Sequence, residues 1–221
     1  MSAAGGIWAV VPVKNTAIAK QRLAPALPQG QRQALALAML EDVLSALARA
    51  RGLARRLLVT IDPEAIRLAA RYGFDYIADG AEAGHTGAVT AVARRLTAEG
   101  VGAMLTLPGD IPLVTAAELA RLVDAHRSAP SFTIAPSHDE MGSNAIILSP
   151  PDAVPMRFGD DSFRPHLAAA RAAGIDPTTV HLPGVALDID NPVDLAHFLQ
   201  LGSRTRAGLW LAQHSDVLDP P

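Results

Sequence analysis

Short apolar runs of strand length alternate along this chain with longer amphipathic or alanine-rich stretches, a pattern that predicts βα units and a mainly parallel sheet. The first run, residues 7–13, leads into a loop from Lys14 to Gly30. A helix over 31–51 follows, carrying Leu37, Leu40, Val43, Leu44 and Leu47 at helical spacing and closed by Gly52. A second strand spans 56–61, and Asp62-Pro63 opens a short helix that runs to Tyr72 and stops at Gly73. A third strand covers 74–78 with a helix over 87–99 behind it, and a fourth covers 103–107. Thr115-Ala-Ala-Glu118 reads as a capping box that starts the next helix. Strands at 132–136 and 144–148 flank a polar loop, and a helix runs from Ser162 to Ala173 with Gly174 at its end. Further strands fall at 179–182 and 185–189, and Asn191-Pro192 starts a last helix.

A length of 221 residues suits one large α/β domain, taken as 1–202, with 203–221 as a C-terminal tail. The hydrophobic fraction of 49% fills a core. No apolar run approaches the roughly 20 residues of a membrane span, and no basic residue precedes the first one, so neither a membrane segment nor a secretory signal is expected. The expected location is cytoplasmic. The absence of cysteine excludes disulfides, thiolate nucleophiles and Cys-ligated zinc, so any metal takes oxygen or histidine ligands. A net charge of -3 with no basic stripe argues against a nucleic-acid partner. Of the 19 basic residues only Lys14 and Lys20 are lysines, and both fall in the first loop, a placement that suits compact point charges gripping a phosphate or that two lysines reach by chance.

Parallel sheets place ligands at the carboxyl ends of their strands. Asp110 follows the fourth strand within Pro-Gly-Asp-Ile-Pro-Leu, and Asp188 and Asp190 close the last one. In extended chain, residues two apart share a face, so the carboxylates of Asp188-Ile-Asp190 project together. With Asp110 they make an all-oxygen set suited to Mg²⁺; the other reading is a turn and helix-entry pair. Gly109 permits close backbone approach to a ligand, or serves only a tight turn. Arg157-Phe-Gly-Asp-Asp-Ser162-Phe-Arg-Pro-His166 puts a hydroxyl at a helix start, an anion site formed by Ser162 and free amides with Arg164 nearby, or an ordinary cap. His166, one turn into that helix, reads as a packing or orienting residue.

In order and spacing, these pieces resemble the guanylyltransferases that make the phospholactyl or phosphoenolpyruvyl guanosine intermediate of the deazaflavin coenzyme F-420. The carriers are Val-Pro-Val-Lys14 continuing to Ala19-Lys-Gln-Arg-Leu23, Leu107-Pro-Gly-Asp-Ile-Pro-Leu113, Gly142-Ser-Asn-Ala145, Phe158-Gly159 with Ser162-Phe163 and His166, and Leu187-Asp-Ile-Asp190. The resemblance spans about Trp8 to Phe198 and implies a Rossmann-like single domain of the nucleotide-diphospho-sugar transferase type, with helices on both faces of a mixed, mostly parallel sheet. By that resemblance Asp110, Asp188 and Asp190 hold Mg²⁺, while Lys14, Ser143, Gly159 and Ser162, joined by Arg164, hold the phosphorylated acid. Lys20, Arg22, Gly84, Thr86 and Gly109 touch the nucleotide. The chain departs from the family in having Ser143 for threonine and Gly84-His85-Thr86-Gly87 where Gly-Leu-Asn is usual.

The implied reaction is attack of an acceptor phosphate on the α-phosphorus of GTP with loss of pyrophosphate, catalysed by positioning and charge neutralisation from Lys14, Asp110 and the metal. A phosphate monoester is already an anionic nucleophile, so no serine nucleophile is needed. The acceptors compatible with the motifs are 2-phospho-L-lactate, phosphoenolpyruvate and 3-phosphoglycerate. The rival readings are a nucleotidyltransferase for a molybdopterin or sugar phosphate, and a silent nucleotide-binding module. Leu209-Trp-Leu211 reads either as a docking element for a homodimer or as part of an ordinary C-terminal helix.

Overall fold

In the computed structural model, which describes residues 6–159 and 161–214, the strands whose residues are apolar on both faces lie inside the sheet, where helices cover them from two sides. β1 (Ile7–Pro12) and β4 (Ala103–Thr106) are such strands and lie side by side. The other strands are β2 (Leu53–Val59), β3 (Asp75–Ile77), β5 (Ser131–Pro136), β6 (Ser143–Ser149) and β7 (Thr178–Thr179). Their order across the seven-stranded sheet is β3-β2-β1-β4-β6-β5-β7. β1 pairs parallel with β2 and β4, β2 with β3, and β5 with β7, whereas β6 runs antiparallel to both of its neighbours. The sheet is therefore mostly parallel, as the sequence pattern predicts, and mixed, as the family resemblance implies.

Alternation along each strand assigns its side chains to two cores. Ala9, Val11, Leu58, Leu105 and Ile147 pack against α1 (Gln29–Arg49), α2 (Pro63–Arg71) and α4 (Ala116–Ala125). Val10, Val59, Met104 and Ile146 pack on the other side against α3 (Gly84–Ala98) and α5 (Phe163–Ala172). The ends are set by local chemistry. Asp62 caps α2 ahead of Pro63, and Thr115 and Glu118 close the expected capping box on α4.

A third core lies on the far side of α1, where Leu35 and Met39 meet Leu195 and Phe198 of α7 (Pro192–Gln200) and Ala207 and Leu211 of α8 (Arg206–Gln213). Buried on both sides, α1 carries apolar residues around more of its circumference than a surface helix needs. α8, within the segment expected as tail, is fixed by Asp42 of α1, whose two carboxylate oxygens accept the backbone N–H of Arg206 and of Ala207, each at 2.9 Å. Residues 215–221 of that tail lie outside the described residues. Leu211 is fully buried while Leu209 is exposed.

Two sequence expectations are corrected. Residues 185–189 are not a strand: Pro183–Ala186 makes a single turn, α6, and the chain then runs extended without a sheet partner. Val185, Leu187 and Ile189 are buried there, so apolar alternation reports burial rather than pairing. The helix expected from Gly87 begins at Gly84. Among the described residues no helix is long and apolar enough to cross a membrane.

Candidate active site

Strands β1, β2 and β4 run the same way, so the chain leaves all three at one edge of the sheet, and a cleft of about 1110 Å³ opens there. The loop after β1 supplies its basic wall. Two short 3-10 turns, Thr16–Ile18 and Gln21–Leu23, shape that loop. Asp62, at the end of β2, anchors it: one carboxylate oxygen accepts the backbone N–H and the hydroxyl of Thr16, both at 2.6 Å. Its other oxygen accepts the amides of Glu64 and Ala65 at 2.8 and 3.0 Å. Burial alone would raise the Asp62 pKa, but the Thr16 hydroxyl and the amides together hold it below the usual carboxylate value.

Between the two turns, Lys20 adopts a left-handed backbone with φ 54°, a conformation that costs a non-glycine residue about 1 kcal/mol or more. That geometry sends its ammonium inward, 2.5 Å from Asp110 Oδ2 and 2.7 Å from Asp190 Oδ1, with the side chain only 8% exposed. Burial would lower the lysine pKa; Asp110 and Asp190 outweigh it and the net direction is upward. Lys14 and Arg22 also line the cleft, Lys14 with its side chain exposed.

The three aspartates expected to bind metal all reach the cleft. Asp188 and Asp190 share a face as predicted, on the extended chain whose Ile189 N–H bonds to the carbonyl of Asp110 at 3.1 Å. They do not stand as a ready ligand cage, however. Among the described residues no three metal-binding side chains are gathered to hold an ion. The reason is electrostatic: partly buried like charges need a counter-charge, and Lys20 supplies it to Asp110 and Asp190. Lys20, expected at the nucleotide, is thus engaged by carboxylates. Asp188 is held by the Asn144 amide, which donates to it at 3.1 Å, and burial together with the nearby Asp110 raises its pKa. For Asp190 burial pulls upward, but Lys20 prevails and lowers the pKa. Asp110 Oδ1 is buried and has no hydrogen-bond partner among the described residues.

The opposite set of expected contacts gathers around α5. Ser143, at the start of β6, and Ser162, just ahead of α5, are buried and their hydroxyl oxygens lie 3.2 Å apart; both line the cleft, as does Gly159. The helix start is not the open anion site the sequence suggests. The amides of Ser162 and Phe163 donate to the carbonyl of Met141 at 2.8 and 2.9 Å, and Pro165 has no N–H, which leaves the Arg164 amide in the first turn. The Arg164 side chain, expected beside the acceptor, is exposed and does not line the cleft.

Gly84 and Thr86 reach the cleft from the start of α3. The Thr86 hydroxyl accepts the backbone N–H of Phe158 at 3.0 Å, tying α3 to the loop that carries Gly159. His85 also lines the cleft and packs edge-on against Phe158, with ring centroids 4.4 Å apart. Burial lowers its pKa, partly opposed by Asp110. Gly109 packs close to α1: a Cβ there would lie 3.1 Å from Leu40 Cδ1, which would have to give by a few tenths of an ångström. Sequence reasoning missed Asp62, Asn144 and His85 as site residues. Asn144 stood beside Ser143 in a recognised motif; Asp62 read only as a helix cap.

Against known proteins, the family described as guanylyl transferase CofC like matches residues 7–215. A phosphoenolpyruvate guanylyltransferase of Conexibacter woesei is 39% identical over 91% of this chain and 91% of its own. A 3-phospho-D-glycerate guanylyltransferase of Colwellia psychrerythraea is 34% identical over 88% and 91%. A 2-phospho-L-lactate guanylyltransferase of Methanothermobacter thermautotrophicus is 33% identical over 96% and 92%. Among solved structures, a Desulfovibrio desulfuricans protein described as a nucleotide-diphospho-sugar transferase superposes with a TM-score of 0.75 at 16% identity, covering 96% of each chain, which establishes the fold. The match over nearly the whole chain, joined to a cleft at the carboxyl edge of this sheet, makes the chain a member of the CofC-like guanylyl transferase family.

Proposed function

We propose that this protein transfers GMP from GTP to a small phosphorylated carboxylic acid, releasing pyrophosphate, in the assembly of coenzyme F-420. The acceptor belongs to the class of phosphoenolpyruvate, 2-phospho-L-lactate and 3-phosphoglycerate, the acids named for its relatives. The observation that carries the reading is a single cleft holding two kinds of anion-handling chemistry: a cationic and carboxylate group at Lys14, Lys20, Asp110, Asp188 and Asp190, and a neutral hydroxyl pair at Ser143 and Ser162. At about 1110 Å³ the cleft exceeds the usual size of a single small-ligand pocket, as a site for two substrates requires.

The donor chemistry fits Mg²⁺. All three carboxylates are hard oxygen ligands, and Asp110 keeps a buried oxygen with no hydrogen-bond partner among the described residues. Asp110, Asp188 and Asp190 would hold the ion, which when bound supplies positive charge to the triphosphate. The chain's own groups do the rest. Lys14 neutralises phosphate charge at the cleft, Asn144 orients Asp188, Asp62 holds the Lys14–Lys20 loop, and the serine pair orients the acceptor so that its phosphate faces the α-phosphorus. A requirement for GTP supports a cytoplasmic location for the reaction.

The test is incubation of the purified protein with GTP, Mg²⁺ and each of the three acids, with products identified by mass. A guanylylated acid and pyrophosphate are expected from at least one; none from any of them rejects the acceptor class.

A further inference from the structure

Two hydroxyls and one imidazole meet at the start of α5, and their protons can be counted. The backbone N–H of Arg157 donates to His166 Nε2 at 2.9 Å. An amide only donates, so Nε2 carries a lone pair and the proton of the ring sits on Nδ1. Nδ1 lies 2.9 Å from Ser143 Oγ, so the ring donates to the serine. Ser143 and Ser162 then hold two hydroxyl protons between them. One is spent on the 3.2 Å bond that joins the two oxygens, and His166 takes neither. One proton is left over, on a pair that lines the cleft. The other tautomer would draw the Ser143 proton onto the ring, and the Ser162 proton would be spent on Ser143, leaving none.

We propose that His166, fixed as the Nδ1–H tautomer by the Arg157 amide, is a positioning residue that makes the Ser143–Ser162 pair a one-proton donor to the anionic group of the acceptor acid. The identity of that anion rests on the functional reading above; the tautomer does not. His166 is 1% exposed and acts only through Ser143. Burial keeps the ring neutral by lowering its pKa to about 4, and Phe158 holds its plane edge-on at a centroid distance of 5.2 Å.

Two substitutions divide the ring's functions. His166→Asn keeps an amide donor where Nδ1 stands and gives up the Arg157 contact. His166→Gln keeps an acceptor where Nε2 stands and removes the donor to Ser143. In the Gln variant the leftover proton remains, but no donor holds the Ser143 hydroxyl and it can turn away from the cleft; misdirecting a hydrogen bond to a charged group corresponds to roughly 10–100-fold in binding. The Gln variant is expected to raise the acceptor KM by about that factor while the GTP KM and the melting temperature stay near wild type. The Asn variant is expected to keep the acceptor KM within about threefold of wild type. Equal effects of the two variants on the acceptor KM, or no effect of either, overturn the proposal. The tautomer is read independently, by nitrogen-15 NMR of the imidazole in the wild-type protein without substrate: a proton on Nδ1 of His166 is expected, and a proton on Nε2 overturns the inference. A wild-type protein that guanylylates none of the three acids rejects the functional reading, and the NMR result still decides the tautomer.

Discussion

The ammonium of Lys20 lies 2.5 Å from one oxygen of Asp110, while the other oxygen of that carboxylate is buried without a hydrogen-bond partner among the described residues. One internal cation thus serves Asp110 and Asp190, and half of Asp110 still faces inward uncompensated. The left-handed Lys20 points its amine at both carboxylates, and those two contacts offset the cost of its backbone.

Replacing Lys20 by Met leaves those carboxylates without their counter-charge. Breaking a buried pair costs roughly 3–5 kcal/mol, and the lower end applies because Asp190 is 45% exposed. The variant is expected to melt lower than wild type in chelator, and to recover more of its melting temperature on adding Mg²⁺ than the wild type gains. A melting temperature indifferent to Mg²⁺ in the variant rules out a cation at these carboxylates.

Asp188→Asn separates stability from turnover. Burial and the nearby Asp110 disfavour the charged form of Asp188, and an asparagine there still accepts the Asn144 amide through its side-chain oxygen. Stability at neutral pH should hold or rise by up to about 1 kcal/mol, while pyrophosphate release falls by about 100-fold or more. Wild-type turnover in this variant sinks the assignment of Asp188 to the metal.

Asp62→Asn should be nearly as damaging as Asp62→Ala, although it is the conservative change. All four contacts to the Asp62 carboxylate are donors, and an amide turns one of its oxygens into another donor facing the Thr16 N–H and hydroxyl, or the amides of Glu64 and Ala65. Loss of the α2 cap costs roughly 1 kcal/mol, and release of Thr16 frees the Lys14–Lys20 loop. The expected signature is a raised KM for GTP with a modest drop in melting temperature; an unchanged KM in both variants denies Asp62 its role in placing the loop.

Stability should fall with acidity before the carboxylates titrate. His126 lies between the Thr133 and Ser149 hydroxyls at 2.9 and 2.7 Å, and burial lowers its pKa to about 4, as it does for His166. The unfolded rings titrate near 6.5, so between about 6.5 and 4 the unfolded state binds more protons. The contribution is complete above 6.5 and is lost as pH falls toward 4, by at most about 3 kcal/mol per ring. Urea midpoints at pH 7, 6 and 5 check this, and His126→Gln should flatten the slope. A midpoint constant over that range contradicts the neutral buried state.

Much of the fold was legible because its strands are short and apolar and its helices open on recognisable caps, Asp62-Pro63, Thr115 with Glu118, and Asn191-Pro192. The run 185–189 misled because burial gives Val185, Leu187 and Ile189 the alternation of a strand, while the Ile189 N–H is satisfied by one loop carbonyl, that of Asp110. The loops carrying Lys14, Asp110, Asp188 and Ser162 were also identified as cleft-forming. Their pairing was not. Lys20 is 90 residues from Asp110 and 170 from Asp190, and no local pattern in one chain announces such a contact. The α5 amides were spent for the same reason, on a carbonyl in the loop before β6.

Asp42 binds the first two amides of α8, across a sequence gap of 164 and 165 residues. On a ribosome α1 is made before α7 and α8, so its face bearing Leu35 and Met39 waits for residues far downstream before it is fully covered. Until α7 and α8 are made and dock, the nascent chain displays that apolar face, and their arrival completes the third core.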